Sequence, residues 1–361
     1  MRKETFTLSQ VVFTLVLFLF GSSVVLGVSG EAGQDAWLSV SLAGVMMIPL
    51  MLMYARIMRL FPETDFFDIL EILFGSILGK IFVLLFTWYA IHLCSLVVRN
   101  FTEFLQIVSM PETPQLPMMI ALISLTAYLA ASGVSALGKW STVIFPIVMA
   151  VVVFTIILAL VDLEFSNLQP MFEAKFEKVV TGAYYTLTFP FAETVLFLCL
   201  AGAVKKQVSP YKLYSFSIFF GCIVLVLIVL RNVMLLGTPM VGASYFPSYT
   251  TARLLHVGDF LTRIEGTITM NFLLAGIVKI TVCLLAAAKG MAKLFNITDY
   301  RRIMMPVAML SLALCAIVYK SAMEMFGFLS YYAIYAIPFQ ILIPAAVWIT
   351  AEIREKKQAA A

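Results

Sequence analysis

The chain has 361 residues, of which 62% are hydrophobic and only 12% are charged, and its formal net charge is +4. Because a soluble domain carries roughly 25% charged residues, this composition indicates an integral membrane protein without a soluble domain. The five cysteines and two histidines show no metal-ligand spacing, and no nucleotide-binding, hydrolase or nucleic-acid-binding motif is present. We therefore expect neither an enzyme nor a cofactor, and no nucleic-acid partner.

Apolar runs of roughly 20 residues are long enough to cross a bilayer as helices, and polar residues divide this chain into ten of them. The first run lacks a small-residue cleavage site and is expected to remain in the protein as a span. We predict an all-α membrane protein with a single transmembrane domain over residues 1–361. The ten predicted spans are 8–28, 37–60, 79–108, 117–134, 140–162, 179–203, 210–236, 264–289, 302–319 and 328–350.

Two of these spans, half a chain apart, contain weak helix formers in their middle. They lie at residues 21–23 in span one and at residues 188–190 in span six. Interruptions at matching positions in two halves are typical of transporters that are built from inverted repeats. The pattern predicts a 5+5 inverted repeat with broken helices one and six. Repeat one covers about 8–162 and repeat two about 179–350.

Lysine and arginine in the loops indicate the orientation. With the N-terminus in the cytoplasm, 16 of the 24 Lys and Arg residues lie at the cytoplasmic ends of the spans, seven lie at the opposite ends, and Lys279 lies inside a span. Short cytoplasmic loops carry an excess of Lys and Arg. Both termini are therefore predicted to be cytoplasmic.

Two connections are predicted to have structure of their own. Residues 65–73 are amphipathic at helical spacing, so they form either a helix along the cytoplasmic interface or an N-terminal extension of span three. On the outer side, residues 237–263 contain Pro239, Pro247 and a semi-apolar run. We expect this second connection to fold over the outer vestibule as a lid.

Gly21, Ser22 and Ser23 are the candidate binding residues in span one. Glycine permits unusual backbone angles, and serine hydroxyls cap freed backbone groups. A half-helix that begins at these residues would present N–H donors and the positive end of its dipole to a ligand carboxylate. The alternative is a face of small residues on which two continuous helices pack closely.

Thr188, Pro190 and Glu193 are the candidates in span six. Proline lacks an N–H and clashes with the preceding turn, so Pro190 is expected to break or kink the helix. Glu193 follows in apolar sequence, and an ionisable side chain at that depth indicates a functional site. It either receives a substrate amine or carries a proton. The alternative is a structural carboxyl that is protonated or paired.

Lys279 lies in the middle of span eight, too far from either end for its ammonium to reach water easily. A fixed ammonium is predicted to stand where related sodium-coupled carriers place an ion, which would make the protein independent of sodium. Proton coupling through Lys279 and Glu193 is a further hypothesis. The alternative is an ion pair with Glu193 that only holds helices together. Arg231, by contrast, lies close enough to a span end to extend outward to water.

Further polar residues lie in spans three and eight. Tyr89 and Asn271 need partners inside the bundle and are expected to line the pocket. His92 is included as a candidate, although a lone intramembrane histidine is more often a packing residue than a proton carrier. Arg99 and Glu103 are four residues apart on one helix and are predicted to form a solvated pair.

The outer connection carries motifs that resemble those of a known family. They are Phe246-Pro247-Ser248-Tyr249, Ala252-Arg253 and Gly258-Asp259-Phe260-Leu261-Thr262-Arg263-Ile264-Glu265. Together with residues 78–80, residues 99–103 and Lys279, they make the chain similar to the spore germination permeases, the B subunits of nutrient germinant receptors, over nearly its whole length. One departure is at residues 270–272, where a tryptophan is expected in this family.

The resemblance implies the amino acid–polyamine–organocation superfamily and a leucine-transporter-like fold. It also implies a subunit of the spore inner membrane that contacts lipid and binds an amino acid or a similar small germinant. Such a subunit would act with A- and C-type subunits to trigger germination. A secondary amino acid transporter, proton-coupled or sodium-independent, is the competing function for the same fold, and a purely structural membrane scaffold is a third.

Overall fold

The computed structural model describes residues 5–255 and 264–360. Within these ranges the protein is a helical bundle, and its one β-type pairing is an isolated bridge between Phe6 and Val204. Nine helical segments of the described chain are long and apolar enough to cross a membrane, and a shorter apolar helix, Gln115–Ala131, corresponds to predicted span four. The α-helices are α1 (Leu8–Leu26), α2 (Ala36–Leu60), α3 (Phe66–Val108), α4 (Gln115–Ala131), α5 (Val134–Ala159), α6 (Phe176–Thr186), α7 (Pro210–Ala243), α8 (Pro247–Leu254), α9 (Glu265–Leu294), α10 (Met304–Val318), α11 (Ala322–Ile337) and α12 (Ile343–Ala360).

The predicted interruption of span one is wrong. α1 is one continuous α-helix through Gly21, Ser22 and Ser23, and it ends only at Gly27, whose φ of 76° and ψ of 164° leave the helical region. Gly21 serves close packing instead, because a Cβ atom at this position would lie 2.7 Å from the Cβ of Lys279. The Ser23 hydroxyl donates to the backbone carbonyl one turn back, which is compatible with a regular helix. The three residues thus form a face of small residues, which was the alternative interpretation.

The predicted interruption of span six is confirmed. α6 gives way to a π-helical turn at Leu187–Phe191, and a 3-10 helix follows at Ala192–Ala203. Within the turn, Phe189 has an extended backbone with φ of −138° and ψ of 110°. This conformation is expected directly before Pro190, because the proline ring disfavours the α-helical region for the residue that precedes it.

Span ten also contains a π-helical turn, which we did not predict, but without an extended residue like the one that breaks span six. α11 runs into a π-helical turn at Pro338–Leu342, and α12 continues from that turn. Pro338 has no backbone N–H to donate within the helix. A wider turn at this position therefore does not break a hydrogen bond that Pro338 would otherwise make. Single π-turns within helices are frequent at functional sites.

The amphipathic segment before span three is a separate helix and not a straight extension of the span. Gly75 has a φ of 76° within α3, so residues 66–74 turn away from the helix that follows. They fold back onto Gly79, where a Cβ atom would lie 2.9 Å from the Cα of Glu71. Glycine at both positions permits the positive φ and the close approach that this reversal requires.

α9 lies at the centre of the bundle and packs against α1, α3, α4 and α5. Every residue from 275 to 288 is buried. Small residues on this helix allow α3 to approach closely, since Gly276 lies against the ring of Phe101 and Gly290 lies against Thr87. The close packing fixes α9, and with it Lys279, relative to its neighbours.

We expect Gly276→Ala to destabilise the protein by about 1–3 kcal/mol through overpacking, because a Cβ at this position would lie 1.8 Å from the Cζ of Phe101. Gly266→Ala is the matched control in the first turn of the same helix, where a Cβ meets nothing within 4 Å. The measurement is the midpoint of thermal unfolding of each variant after purification in detergent. Equal midpoints for the two variants would contradict the packing of α9 on α3.

Candidate binding site at the interrupted spans

The centre of the site is an ion pair between Lys279 on α9 and Glu193 in the interrupted span six. The Nζ atom of Lys279 lies 2.5 Å from Oε2 of Glu193, and both side chains are fully buried. The same Nζ lies 4.9 Å from the ring centroid of Phe189 and 5.2 Å from that of Phe18. The opposite charge and the two aromatic faces compensate an ammonium ion that would otherwise be costly inside a membrane bundle.

A chain of hydrogen bonds leads from Glu193 to span ten. The Tyr332 hydroxyl donates to Oε1 of Glu193 at 2.7 Å, and the Tyr89 hydroxyl lies 3.1 Å from that of Tyr332. Gln340 donates from Nε2 to the Tyr89 hydroxyl at 2.9 Å. All of these side chains are buried. A fully buried network of this kind holds the carboxylate in one orientation, because each lost hydrogen bond would leave a polar group unpaired.

Gln340 links the π-turns of spans six and ten. Its Nε2 also donates to the backbone carbonyl of Thr188, within the π-turn of span six, at 2.9 Å. The backbone carbonyl of Gln340 in turn accepts from the Tyr54 hydroxyl of α2 at 2.6 Å. The side-chain amide of Gln340, which lies in the π-turn of span ten, thus binds the π-turn of span six. A relative movement of the two turns would alter this hydrogen bond.

An open cavity of about 350 Å³ lies where α1 ends, which is the outer side in the predicted orientation. It is bounded by the turn after α1 and by parts of α6, α7, α8 and α11. Its polar lining includes Ser29, Glu31, Thr186, Asn232, Ser244 and Ser330, and its apolar lining includes Tyr185, Phe189, Val229, Phe326 and Leu329. Apolar walls with a few convergent polar groups are typical of small-molecule sites.

Phe189 contacts both the outer cavity and the ion pair. The residue lines the outer cavity, and its ring lies over the Lys279 ammonium. Phe189 and Leu329 also line a second space of about 20 Å³ beside Glu193 and Tyr332. Phe189 is therefore adjacent to both spaces.

The structure brings most of the predicted site residues to this region. Glu193, Lys279 and Tyr89 belong to the polar network, Thr188 contributes its carbonyl, Pro190 shapes the turn, and Gly21 contacts the stem of Lys279. Ser22 is buried, and its hydroxyl has no hydrogen-bond partner in the described ranges. None of these placements tests ligand binding, which remains a prediction for each residue.

His92 and Asn271 lie apart from the hydrogen-bonded network. The His92 ring is stacked on Trp88 with 5.6 Å between ring centroids, and it meets Tyr335 edge-on at 5.0 Å. Asn271 is buried on α9, two turns before Lys279. Neither Nδ1 of His92 nor Oδ1 of Asn271 has a hydrogen-bond partner within the part of the chain that the structure describes.

Two arginines that were predicted to reach water are buried, so those predictions are wrong. Arg99 pairs with Glu103 at 2.7 Å, and only 8% and 6% of the two side chains are exposed. Arg231 donates from Nη1 to the Thr155 hydroxyl and from Nε and Nη2 to Oδ1 of Asn232. Neighbouring elements cover these helix faces, and the sequence of one span does not reveal which face is covered.

The outer motif attaches the short helix α8 to the end of α1. Ser248 donates its hydroxyl to the carbonyl of Val24 in the last turn of α1, and it accepts from Nδ2 of Asn232. Pro247 lines the outer cavity and lies against Gly27. This position beside the cavity is compatible with the predicted lid, although residues 256–263 of that lid lie outside the described residues.

The opposite end of span six is held by polar contacts. The N–H of Phe6 donates to the carbonyl of Ala203 at 2.8 Å. Lys289 donates to Asp65 at 2.7 Å and to the carbonyl of Cys199 at 3.0 Å. Burial raises the pKa of the Asp65 carboxyl above its ordinary value, while the adjacent Lys289 ammonium lowers it in part. These contacts lie beside a further open cavity of about 500 Å³, which Asp65, Ala203 and Lys289 line at this end of the bundle.

Comparisons with known proteins identify the family. A family profile described as "Spore germination protein" matches residues 5–325. The chain belongs to this spore germination protein family. Spore germination protein KB of Bacillus subtilis (strain 168) is 23% identical over 99% of this chain and 97% of its own length, and the putative spore germination protein YfkT of the same strain is 23% identical over 88% and 87%. The predicted family is confirmed.

Solved structures confirm the fold class of this germination protein. Mhp1, a nucleobase-cation-symport-1 family transporter solved with bromovinylhydantoin, has a TM-score of 0.68 at 13% identity and is matched over 93% of this chain and 77% of its own. MhsT, solved in complex with L-phenylalanine, has a TM-score of 0.64 at 11% identity over 97% and 99%. The protein is thus an all-α membrane protein with the leucine-transporter-like fold.

Sequence reasoning missed two residues of the network, Tyr332 and Gln340. Both lie in span ten, which carried no predicted role. A signal was present, because Gln340 is a long polar side chain two residues after a proline in an otherwise apolar run. The reasoning applied to Pro190 and Glu193 would, for Pro338 and Gln340, have predicted an irregular turn in span ten as well.

Proposed function

We propose that this member of the spore germination protein family is a nutrient-sensing membrane subunit that binds an amino acid or a similar small germinant. The observation that carries the proposal is the buried Lys279–Glu193 pair, whose ammonium lies against Phe189, a residue that also lines an open cavity of about 350 Å³. Buried ions inside a membrane bundle are characteristic of functional sites.

In this proposal the ligand enters the outer cavity and displaces the ring of Phe189. Its charged groups then compete for Glu193 and Lys279, which hold each other in the empty state. Binding therefore favours a different arrangement of span six, and Gln340 transmits the shift to span ten. A ligand signals only through such a difference in affinity between two states.

The proposed coupling does not use sodium. The Lys279 ammonium already supplies a fixed positive charge beside Glu193 of the interrupted span six, and the stem of the same side chain lies against Gly21 of α1. A second cation at the same place would be repelled by it. Glu193 is the proposed proton-responsive partner, since it can become neutral when the pair separates.

We further propose that the shift is read by A- and C-type partner subunits in the spore inner membrane, with both termini cytoplasmic. The second candidate function is secondary amino acid transport. It is favoured by open cavities at both ends of span six, one of about 350 Å³ lined by Phe189 and one of about 500 Å³ lined by Lys289. Uptake of radiolabelled amino acid by liposomes that contain this subunit alone would favour transport over sensing.

We expect Gly242→Trp to weaken ligand binding by more than about tenfold, because this exposed glycine lines the outer cavity and a side chain at this position projects into open space. Gly327→Trp is the matched control, since its Cβ also meets nothing within 4 Å and Gly327 is not among the cavity-lining residues. The measurement is saturable binding of a panel of radiolabelled L-amino acids to protein in nanodiscs, with and without sodium. Unchanged affinity in Gly242→Trp, or binding that requires sodium, would contradict the proposed site.

A further inference from the structure

A long apolar groove on the side of the bundle is independent of the candidate site. It has a volume of about 1180 Å³ and runs between α1, α2 and α7. Its walls include Val45 and Phe219, whose exposed fractions of 60% and 69% leave them open to the surrounding bilayer. At the bottom of the groove α2 and α7 pack closely, because Gly44 has no side chain. A Cβ atom on Gly44 would lie 2.6 Å from Sγ of Cys222.

The groove is longer than the hydrocarbon of one leaflet is deep. Along α7 it extends from Lys212 to Leu227, which is roughly 22 Å at the α-helical rise of 1.5 Å per residue. The hydrocarbon of one leaflet is about 15 Å deep, or half of a bilayer core. A tilted acyl chain could therefore lie along most of the groove.

Lys212 lies at one end of this groove, and a second cation, Arg59, lies beyond the lining, next to the neighbouring Tyr211. Lys212 lines the groove and is exposed. Arg59 is also exposed, and its guanidinium lies 5.7 Å from the ring centroid of Tyr211, the neighbour of Lys212. In the part of the chain that the structure describes, neither cation has a carboxylate within ion-pair distance, whereas the nearby Arg56 pairs with Glu352.

We propose that the groove binds an anionic phospholipid, with an acyl chain along α7 and the phosphate at Lys212 and Arg59. In the predicted orientation this is the cytoplasmic leaflet, where basic side chains near the surface attract anionic lipids. An apolar helix from a partner or from a second copy would fill the groove but leave both cations without a counter-charge. A lipid phosphate satisfies both of them while its acyl chain covers the apolar walls.

The test compares retention of phosphatidylglycerol and phosphatidylcholine by the purified full chain in native mass spectrometry. Each basic side chain is worth about fivefold in affinity for an anionic lipid, so Lys212→Gln combined with Arg59→Gln is expected to lower phosphatidylglycerol retention by more than about tenfold. The matched control is Lys175→Gln combined with Lys178→Gln, two exposed cations outside the groove lining. Ser215→Trp, which fills the groove, is expected to reduce retention of both lipids.

Four results would overturn the proposal. The first is equal retention of the two lipids by the wild type. The second is wild-type retention of phosphatidylglycerol by the Lys212/Arg59 variant, and the third is unchanged retention of both lipids by Ser215→Trp. The fourth result is a wild type without bound lipid in which Phe219→Cys forms a disulfide crosslink to another transmembrane helix. That result would assign the groove to a protein partner or to a second copy.

Discussion

Replacing Glu193 by leucine is expected to destabilise this germination protein by about 3–5 kcal/mol, because it leaves the Lys279 ammonium buried without a counter-charge. The two aromatic rings around Nζ compensate only part of this cost. The Tyr332 hydroxyl also loses its acceptor. The measurement is the midpoint of thermal unfolding of the purified protein, and we expect a decrease of more than about 5 °C.

A double-mutant cycle distinguishes an unpaired charge from a general packing defect. Glu193→Leu combined with Lys279→Met removes both ions, so this variant is expected to recover most of the lost stability. The control is Glu355→Gln, which removes a more exposed partner of Arg56 and is expected to change stability by no more than about 1 kcal/mol. If the double variant is as unstable as Glu193→Leu, the charge explanation is wrong.

The cycle also tests what the pair does beyond stability. If the Lys279–Glu193 pair only holds helices together, a refolded double variant keeps its affinity for ligand. If ligand groups compete for the two ions, as proposed, the same variant is stable but no longer binds. A stable double variant that binds with wild-type affinity would therefore assign the pair a structural role and would sink the proposed site.

Replacing Gln340 by methionine is expected to cost about 2–4 kcal/mol. The side chains have similar volume, but the variant loses the donor to the carbonyl of Thr188 and the donor to the Tyr89 hydroxyl. Each unpaired polar group inside the bundle costs about 1–3 kcal/mol. Oε1 of Gln340, which has no partner in the described ranges, offsets part of this loss when it is removed.

Gln34→Met is the matched control for this substitution. Its Nε2 also donates to a backbone carbonyl, that of Pro170, at 3.1 Å, but it does so at the surface, where water replaces the lost partner. We expect a change of no more than about 1 kcal/mol for Gln34→Met. Thermal unfolding of both variants provides the comparison, and similar losses of stability would show that Gln340 does not join the π-turns of spans six and ten.

The two sets of variants address one mechanical unit. Glu193 follows one π-turn, Gln340 lies within the other, and Tyr332 and Tyr89 connect them. Since hydrogen bonds inside a bundle are lost at high cost, the two turns move together or not at all. In the proposed mechanism, this unit converts the displacement of Phe189 into a movement of spans six and ten.

The sequence alone determined the class of protein, its spans and the burial of Glu193 and Lys279. Apolar length is a local property, and the ten spans follow from it directly. The interruption at Pro190 is also local, because it follows from the missing N–H and the ring of one proline. The depth of Glu193 and Lys279 within apolar runs is equally local, and it identified both halves of the ion pair. The family was also accessible, because its motifs are contiguous.

Only the tertiary structure decided which helix faces meet. Gly21 and its two serines suit an unwound turn and a packing face equally well, and the stem of Lys279 against Gly21 selects the packing face. The burial of Arg99 and Arg231 depends on the elements that cover them, and the role of Gln340 depends on a carbonyl 152 residues away in the chain. Contacts of this kind join distant segments, and no periodicity within one span encodes them.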